Sequence, residues 1–261
     1  MNPGDDLLRS GDLDGARAAL IETVKRAPSD ASARMFLWQL MAISGEWDKA
    51  TVQLRALAQT SAEAQMLATV YSQAMEAEKV RLAAYAGQGE FPVLVASSPW
   101  IQTVAESLAA DARGELDKAD SLREQAFEAA GDTPGAVGDQ KFGWIADIDP
   151  RLGPAFEAVV SGRWGLIPFE AVVSIKTEGP KDLRDLVWLP IEIALRSGQS
   201  AAALLPARYP GSEAGEPAVR LGRETKWAER GGREIPLGQR VWTTDTDLDI
   251  GLLDFNEIRL A

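Results

Sequence analysis

The residues that could do chemistry in this chain are carboxylates, arginines and tryptophans, because two others are missing. The 261 residues contain no histidine and no cysteine. Imidazole proton shuttles, Ser-His nucleophiles, thiolate chemistry and His- or Cys-ligated zinc are therefore excluded. An enzyme would have to work with Asp, Glu, Lys, Tyr or Arg. Asp147 and Asp149 form one candidate acid/base pair, since neighbouring carboxylates can have their pKa values driven apart. A surface turn, with Asp149 before Pro150, is the simpler expectation. The stretch Asp245-Thr-Asp-Leu-Asp-Ile-Gly251 clusters oxygen ligands as a calcium loop does. Its glycine comes one position late and Asn256 stands where the bidentate Glu belongs, so it reads as an acidic turn between two strands. Gly87-Gln-Gly-Glu-Phe-Pro92 lacks the Lys-Ser/Thr ending of a phosphate loop. No metal or cofactor site is expected.

Arg151, Arg184, Arg208, Arg223 and Arg240 lie beside Pro, Gly or Trp. Guanidinium groups stack on aromatic faces and pair bidentately with carboxylates. They could build a partner surface, but pinning turns to one another is the favoured reading.

The elements that must carry these residues divide in two. Ser10-Gly-Asp-Leu-Asp-Gly-Ala16, Ser44-Gly-Glu-Trp-Asp-Lys-Ala50 and Arg113-Gly-Glu-Leu-Asp-Lys-Ala119 share one pattern. Gly11 and Gly45 are 34 residues apart, and Gly45 and Gly114 are 69 apart, about twice that. This is the period of tetratricopeptide repeats, pairs of antiparallel helices. Gly11, Gly45 and Gly114 would let the chain leave a first helix in a left-handed conformation. The acidic residues would start the second helix. Ala16, Ala50 and Ala119 would let the helices approach. The spacing predicts a degenerate repeat over 61–87 and another helix pair over 99–130. A helical array over 1–132 follows. Its concave side offers Met35, Gln39, Met66 and Tyr71 as candidate partner-binding residues, with Leu37 and Trp38 in the core.

Gly131 to Gly138 is dense in Gly and Pro and marks a boundary. Five of the eight tryptophans lie beyond it. Residues 139–261 read as a smaller, mostly antiparallel α+β domain. A short helix is expected from Pro154, a hairpin from Trp188–Leu195 to Ala201–Leu205, and further strands at Val241–Thr244 and Ile250–Leu260. The fold class is α+β.

The net charge is −12, with 21 acidic against 13 basic residues in 1–141, giving −8. Such a surface repels nucleic acid and anionic membranes. The start of the chain lacks a signal-peptide pattern and no apolar run is long enough for a membrane span, so no membrane insertion is expected.

Several motifs of the second half occur in one order behind a repeat-like half. They include Phe142-Gly-Trp144, Arg184 with Trp188, Arg208-Tyr209-Pro210-Gly211, Gly222-Arg223 with Trp227, and Gly238-Gln239-Arg240. In this order the chain resembles the ImpE/TagJ family of type VI secretion accessory proteins over essentially its whole length. The resemblance implies a cytoplasmic bacterial adaptor associated with the contractile sheath. Its implied partners are an N-terminal helix of the small sheath subunit and the AAA+ ATPase that disassembles the sheath. It supplies no catalytic residues. A carboxylate- and Arg-based enzyme in the second half, or a general assembly chaperone, are the competing readings.

Overall fold

A computed structural model describes residues 4–261. Seven helices come first: α1 (Asp5–Arg9), α2 (Leu13–Arg26), α3 (Ala31–Ile43), α4 (Trp47–Leu57), α5 (Ala62–Tyr85), α6 (Trp100–Ala112) and α7 (Leu116–Ala129). Gly11, Gly45 and Gly114 stand in the α1–α2, α3–α4 and α6–α7 bends at φ values of 85°, 68° and 76°. At each bend the glycine amide bonds back three residues and the next amide bonds back five, for example Gly45 N to Ala42 O and Glu46 N to Met41 O. This pair of hydrogen bonds satisfies carbonyls that a helix end otherwise leaves orphaned. Ala16, Ala50 and Ala119 are fully buried.

Residues 61–87 depart from expectation. They form one 24-residue helix, α5, rather than a helix pair. The stretch contains no glycine or proline before Gly87, so nothing breaks the hydrogen-bond ladder at the place where a bend was due. The glycine cap appears instead at Gly87, at φ 76°, where no helix follows.

Strands begin at Gly135. An eight-stranded antiparallel sheet has the order β2-β1-β13-β6-β7-β8-β4-β5. Its members are β1 (Gly135–Val137), β2 (Gln140–Phe142), β4 (Ala155–Val160), β5 (Arg163–Pro168), β6 (Val172–Lys176), β7 (Trp188–Leu195), β8 (Ser200–Pro206) and β13 (Glu257–Leu260). A three-stranded sheet joins β3 (Ile145–Asp147), β11 (Val241–Thr244) and β12 (Ile250–Gly251). A separate ribbon pairs β9 (Thr225–Arg230) with β10 (Arg233–Gly238), and a short α8 spans Pro217–Arg220. The β7–β8 hairpin lies where the sequence placed it, with Ala194 opposite Ser200. Pro154 starts no helix. Ala155–Val160 is a strand buried on both faces, and an unbroken apolar run of this length does not distinguish the two. Ile250–Leu260 is two short strands divided by a turn.

Alternation along the strands produces two packing faces. Phe156, Ile167, Leu189, Ile191 and Leu205 face the three-stranded sheet and Trp242. Ala155, Val159, Trp164 and Leu166 face Ala77 and Ala84 of α5 and Ile101, Val104 and Leu108 of α6. The helices α2 to α5 enclose a third cluster around Leu20, Leu37, Trp38 and Leu54, and into it the second half inserts Val187, Trp188 and Leu221. Two of the three cores are thus built jointly by helices and strands. No helix of the described residues is long and apolar enough to cross a membrane.

Candidate binding cleft and the sealed charge network

Helix α5 carries Ala74, Glu78, Arg81 and Tyr85 on the side that meets the sheet, a spacing of three and four residues. Two of these four are charged, and both are buried. Arg81 Nε and Nη2 hold the two oxygens of Glu157 on β4 at 2.8 and 3.1 Å, while Nη1 reaches Glu78 Oε1 at 2.8 Å. Glu157 also accepts from Trp164 Nε1 at 2.8 Å and from Arg240 Nη2. Arg240 Nη1 bonds Asp147 Oδ2 at 2.6 Å, and its guanidinium lies 4.7 Å over the Tyr209 ring. The Tyr209 hydroxyl donates to Asp147 Oδ1 at 3.0 Å and accepts from Val241 N at 3.0 Å. A neighbouring pair, Asp149 and Arg151, is bidentate at 2.9 and 2.6 Å and stacks on Tyr85.

These residues overturn the surface-turn reading of Asp147 and Asp149, which are 3% and 0% exposed. Burial pushes Asp147 up to about 6, with Arg240 opposing and Asp149 reinforcing the rise. Burial would also raise Glu157, but Arg81 and Arg240 outweigh it and hold that carboxyl at about 2. The two acids are driven apart, as in an acid/base pair. Both are sealed, and neither lines any of the clefts described below. Around this cluster four arginines (81, 151, 208, 240) stand against four acids (78, 147, 149, 157), while the fifth buried acid, Asp185, lies apart and is spent on backbone amides. That balance is what lets such a cluster persist out of water.

Arg208 is the exception in kind. Its Nη1 donates to the carbonyl of Ile43 at 3.0 Å and to that of Arg220, the last residues of α3 and α8. Helix C-termini carry partial negative charge and unsatisfied carbonyls, and the guanidinium serves both. Burial lowers it to about 10, still charged near neutrality. The sequence expectation of arginines that pin turns describes Arg151, Arg208 and Arg240. It does not describe Arg223, whose side chain is exposed.

The second half reaches the helices at another place. A short 3-10 turn, Leu183–Leu186, lies against α3 and α5. The Leu183 amide donates to Gln39 Oε1 at 3.1 Å, and Arg184 Nε donates to the Tyr71 hydroxyl at 3.1 Å while its guanidinium sits 5.2 Å over that ring. Asp185 Oδ2 accepts from the amides of Lys181 and Asp182 and fixes the turn. Trp188 follows, between Trp47 and Tyr71, with Nε1 on Glu78. Gln39 and Tyr71, expected to line an open groove, are largely covered by the chain's own turn, with Gln39 left at the wall of the cleft beside Met35 and Tyr71 at the wall of a second hollow. Burial raises the Tyr71 phenol despite Arg184, so it remains neutral.

Beside that turn a cleft stays open, with an apolar stripe flanked by Ser32, Gln39, Lys181 and Asp182. Leu8, Met35 and Phe36 face Pro180, Leu183 and Leu186 across about 530 Å³. Met35 thus stands at a cleft, and Met66 on α5 is 75% exposed. Another hollow, about 490 Å³, lies between Tyr71, Arg184 and Pro190–Glu192. A wider one, about 960 Å³, sits on the far face of the sheet between Leu94, Val160, Ile167 and Leu195.

The remaining motif residues shape turns. Gly211 and Gly222 have φ values of 91° and 63°, Pro210 is buried beside them, and Gln239 bonds Asp254 at 2.8 Å. Gly238 (φ 95°) is irreplaceable on space as well, because a Cβ there would lie 2.0 Å from the Glu224 carbonyl oxygen. Trp227 is half exposed. Asp245 accepts from the Gly143 and Trp144 amides, so the acidic turn pins the β2–β3 connection. The sequence reading missed Glu78, Arg81, Glu157 and Asp185. The available signal was charge at core-phase positions of α5 and one Glu inside an apolar strand.

Three similarities bear on this architecture. The family model described as "ImpE protein" matches residues 139–259. The type VI secretion system accessory component TagJ of Pseudomonas aeruginosa is 43% identical over 255 residues, covering 97% of this chain and 89% of that protein. A crystal structure of a Vibrio parahaemolyticus protein superposes with a TM-score of 0.87 at 23% identity, covering 99% of this chain and 97% of that one, which speaks for the fold. With that identity spanning nearly the full chain, and with Arg208, Gly238 and Arg240 each filling a structural place, the chain belongs to the ImpE/TagJ family.

Proposed function

We propose that this chain is a non-catalytic accessory protein of type VI secretion that works in the bacterial cytoplasm. It holds an amphipathic N-terminal helix of the small contractile-sheath subunit and helps link the sheath to its AAA+ disassembly ATPase. The observation that carries the reading is the open cleft between α1, α3 and the 183–186 turn. Leu8, Met35, Phe36, Leu183 and Leu186 are half-buried apolar side chains with one face uncovered. A helix laid there would bury its apolar stripe, as helix-in-groove recognition requires. The acidic first half favours a basic rim on that helix. The relationship to TagJ, a named accessory component, supports the same reading. The enzyme alternative has its strongest residues in Asp147 and Glu157, which are enclosed on all sides by arginine and aromatic groups and leave no room for substrate.

Purified protein is expected to capture the small sheath subunit, and removal of that subunit's first helix to abolish capture. Undiminished capture after the removal rejects the proposal.

A further inference from the structure

The ribbon formed by β9 and β10 has an unusual balance of charges and an uncovered edge. Gly231 and Gly232, at φ 59° and 80°, make a two-residue turn with both residues left-handed. In such a hairpin the flanking residues, Arg230 and Arg233, are the closing hydrogen-bonded pair. Counting back, Trp227 and Glu229 occupy non-hydrogen-bonded pairs, opposite Pro236 and Glu234. Their amides and carbonyls therefore point away from β10, and among the described residues they meet no partner.

The two edges of the ribbon are not alike. On β10, Pro236 removes the outward amide, a device that blunts an edge. That strand also lies beside the helices, where Arg233 is held by Asp111 and Asp120. On β9 no proline intervenes, the strand runs six residues, and its central outward residue is Trp227, 51% exposed. The β5 edge, also six residues long, is met by Val93 and Leu94.

Charge identifies what would cover β9. Within the ribbon, like charges stand directly opposite each other: Arg230 to Arg233 and Glu229 to Glu234. Such pairs destabilise a ladder. Arg233 is compensated from α6 and α7, whereas Arg230, Glu229 and Glu234 form no ion pair among the described residues. Now let a second copy of β9 run antiparallel to the first about a two-fold axis at Trp227. Trp227 then faces Trp227 of the second copy, and Lys226 faces Ala228. Thr225 faces Glu229, and Glu224 faces Arg230. No like charges meet, Arg230 gains a carboxylate, and the indoles become cross-strand neighbours, a favourable aromatic pairing.

We infer that the β9 edge is a self-association surface, through which two copies of this chain join their ribbons into one four-stranded antiparallel sheet. Such an interface is isologous and closes on itself, giving a dimer rather than a filament. The surface is remote in sequence from the Met35 cleft, so each copy would keep its own cleft, and the inference does not depend on the proposed function.

Sedimentation velocity of the full-length chain, from ~1 µM to ~500 µM, is expected to show a monomer–dimer equilibrium of the modest strength that a small edge-strand interface gives. Glu229→Pro removes an outward amide without touching the β9–β10 ladder and should weaken dimerisation at least ~tenfold, whereas Glu229→Ala should retain it. Hydrogen exchange of the unaltered protein supplies a reading independent of any folding defect in the variant: the Trp227 and Glu229 amides should slow as concentration rises. A chain that stays monomeric over the whole range overturns the inference. So does a dimer in which those two amides exchange freely at every concentration.

Discussion

Two of the places where the halves of this protein meet are built from contrasting materials. Between α5 and the sheet an ionic cluster is shut inside the contact, with Arg81, Arg240, Asp147 and Glu157 all out of solvent. Between α3 and the 183–186 turn apolar side chains and one hydrogen bond, from Leu183 to Gln39, make a contact that is partly open, with Met35, Phe36 and Leu186 half covered. Charges with displaced pKa values normally draw attention as reactive groups. Here they are spent on each other, and the reach toward a partner is left to side chains with no chemistry beyond burial. A perturbed carboxylate argues for catalysis only when something can approach it.

The strongest way to break this contrast is to remove one member of the sealed cluster. Glu157→Gln leaves Arg81 and Arg240 facing a neutral amide, and we expect it to cost about 3–5 kcal/mol of stability, the range for an orphaned buried charge. Urea unfolding measures this directly. A loss below about 1 kcal/mol would mean that the cluster is far better hydrated than its burial implies.

A second test uses pH. Glu157 has its folded value depressed from 4.5 to about 2. Its contribution is present above pH 4.5 and is lost as pH falls towards 2, roughly 3 kcal/mol over that window. Asp147 works in the opposite sense. Its folded value is raised from 3.8 to about 6, so its contribution is present below 3.8 and is lost as pH rises through 6. Stability should therefore fall on acidification below pH 4.5, with a comparable decline, roughly 3 kcal/mol, on the other side as pH rises from 4 to 6. The Glu157→Gln variant should keep the second slope and lose much of the first, readable as urea midpoints against pH.

The smallest expected effect sharpens the boundary of the open region. Met66 is exposed on α5 and touches neither cluster, so Met66→Ser should change stability by less than about 0.5 kcal/mol. If it also leaves capture of the sheath subunit unchanged, the binding surface ends at the 183–186 turn. A weakened capture extends that surface along α5.

Local features of the fold were legible because they rest on local chemistry. A glycine followed by an acidic residue and a helical pattern dictates a bend whatever surrounds it, and Gly11, Gly45 and Gly114 occupy three such bends. The β7–β8 hairpin was readable from its alternation and its Ser-Gly turn. What escaped depends on partners distant in sequence. Arg81 meets Glu157 across 76 residues and Arg208 meets Ile43 across 165. Nothing near α5 says that a sheet will cover it, so Glu78 and Arg81 look like ordinary surface charges of a helix. The same cause hid the fate of Gln39 and Tyr71. The helices alone outline a groove, and the segment that partly fills it lies more than 110 residues downstream. Ala155–Val160 failed differently: a strand buried on both faces loses the alternation by which strands are recognised.

The central claim is that the cleft beside Met35 receives an amphipathic helix. Calorimetric titration of this protein with a synthetic peptide of the small sheath subunit's first helix tests it most directly, with Met35→Asp run in parallel. Saturable binding to the unaltered protein is expected, weakened at least ~tenfold, or about 1.4 kcal/mol, by a charge placed on the cleft wall. Equal affinity for both proteins, with the variant's unfolding midpoint unchanged, would contradict the assignment of that cleft.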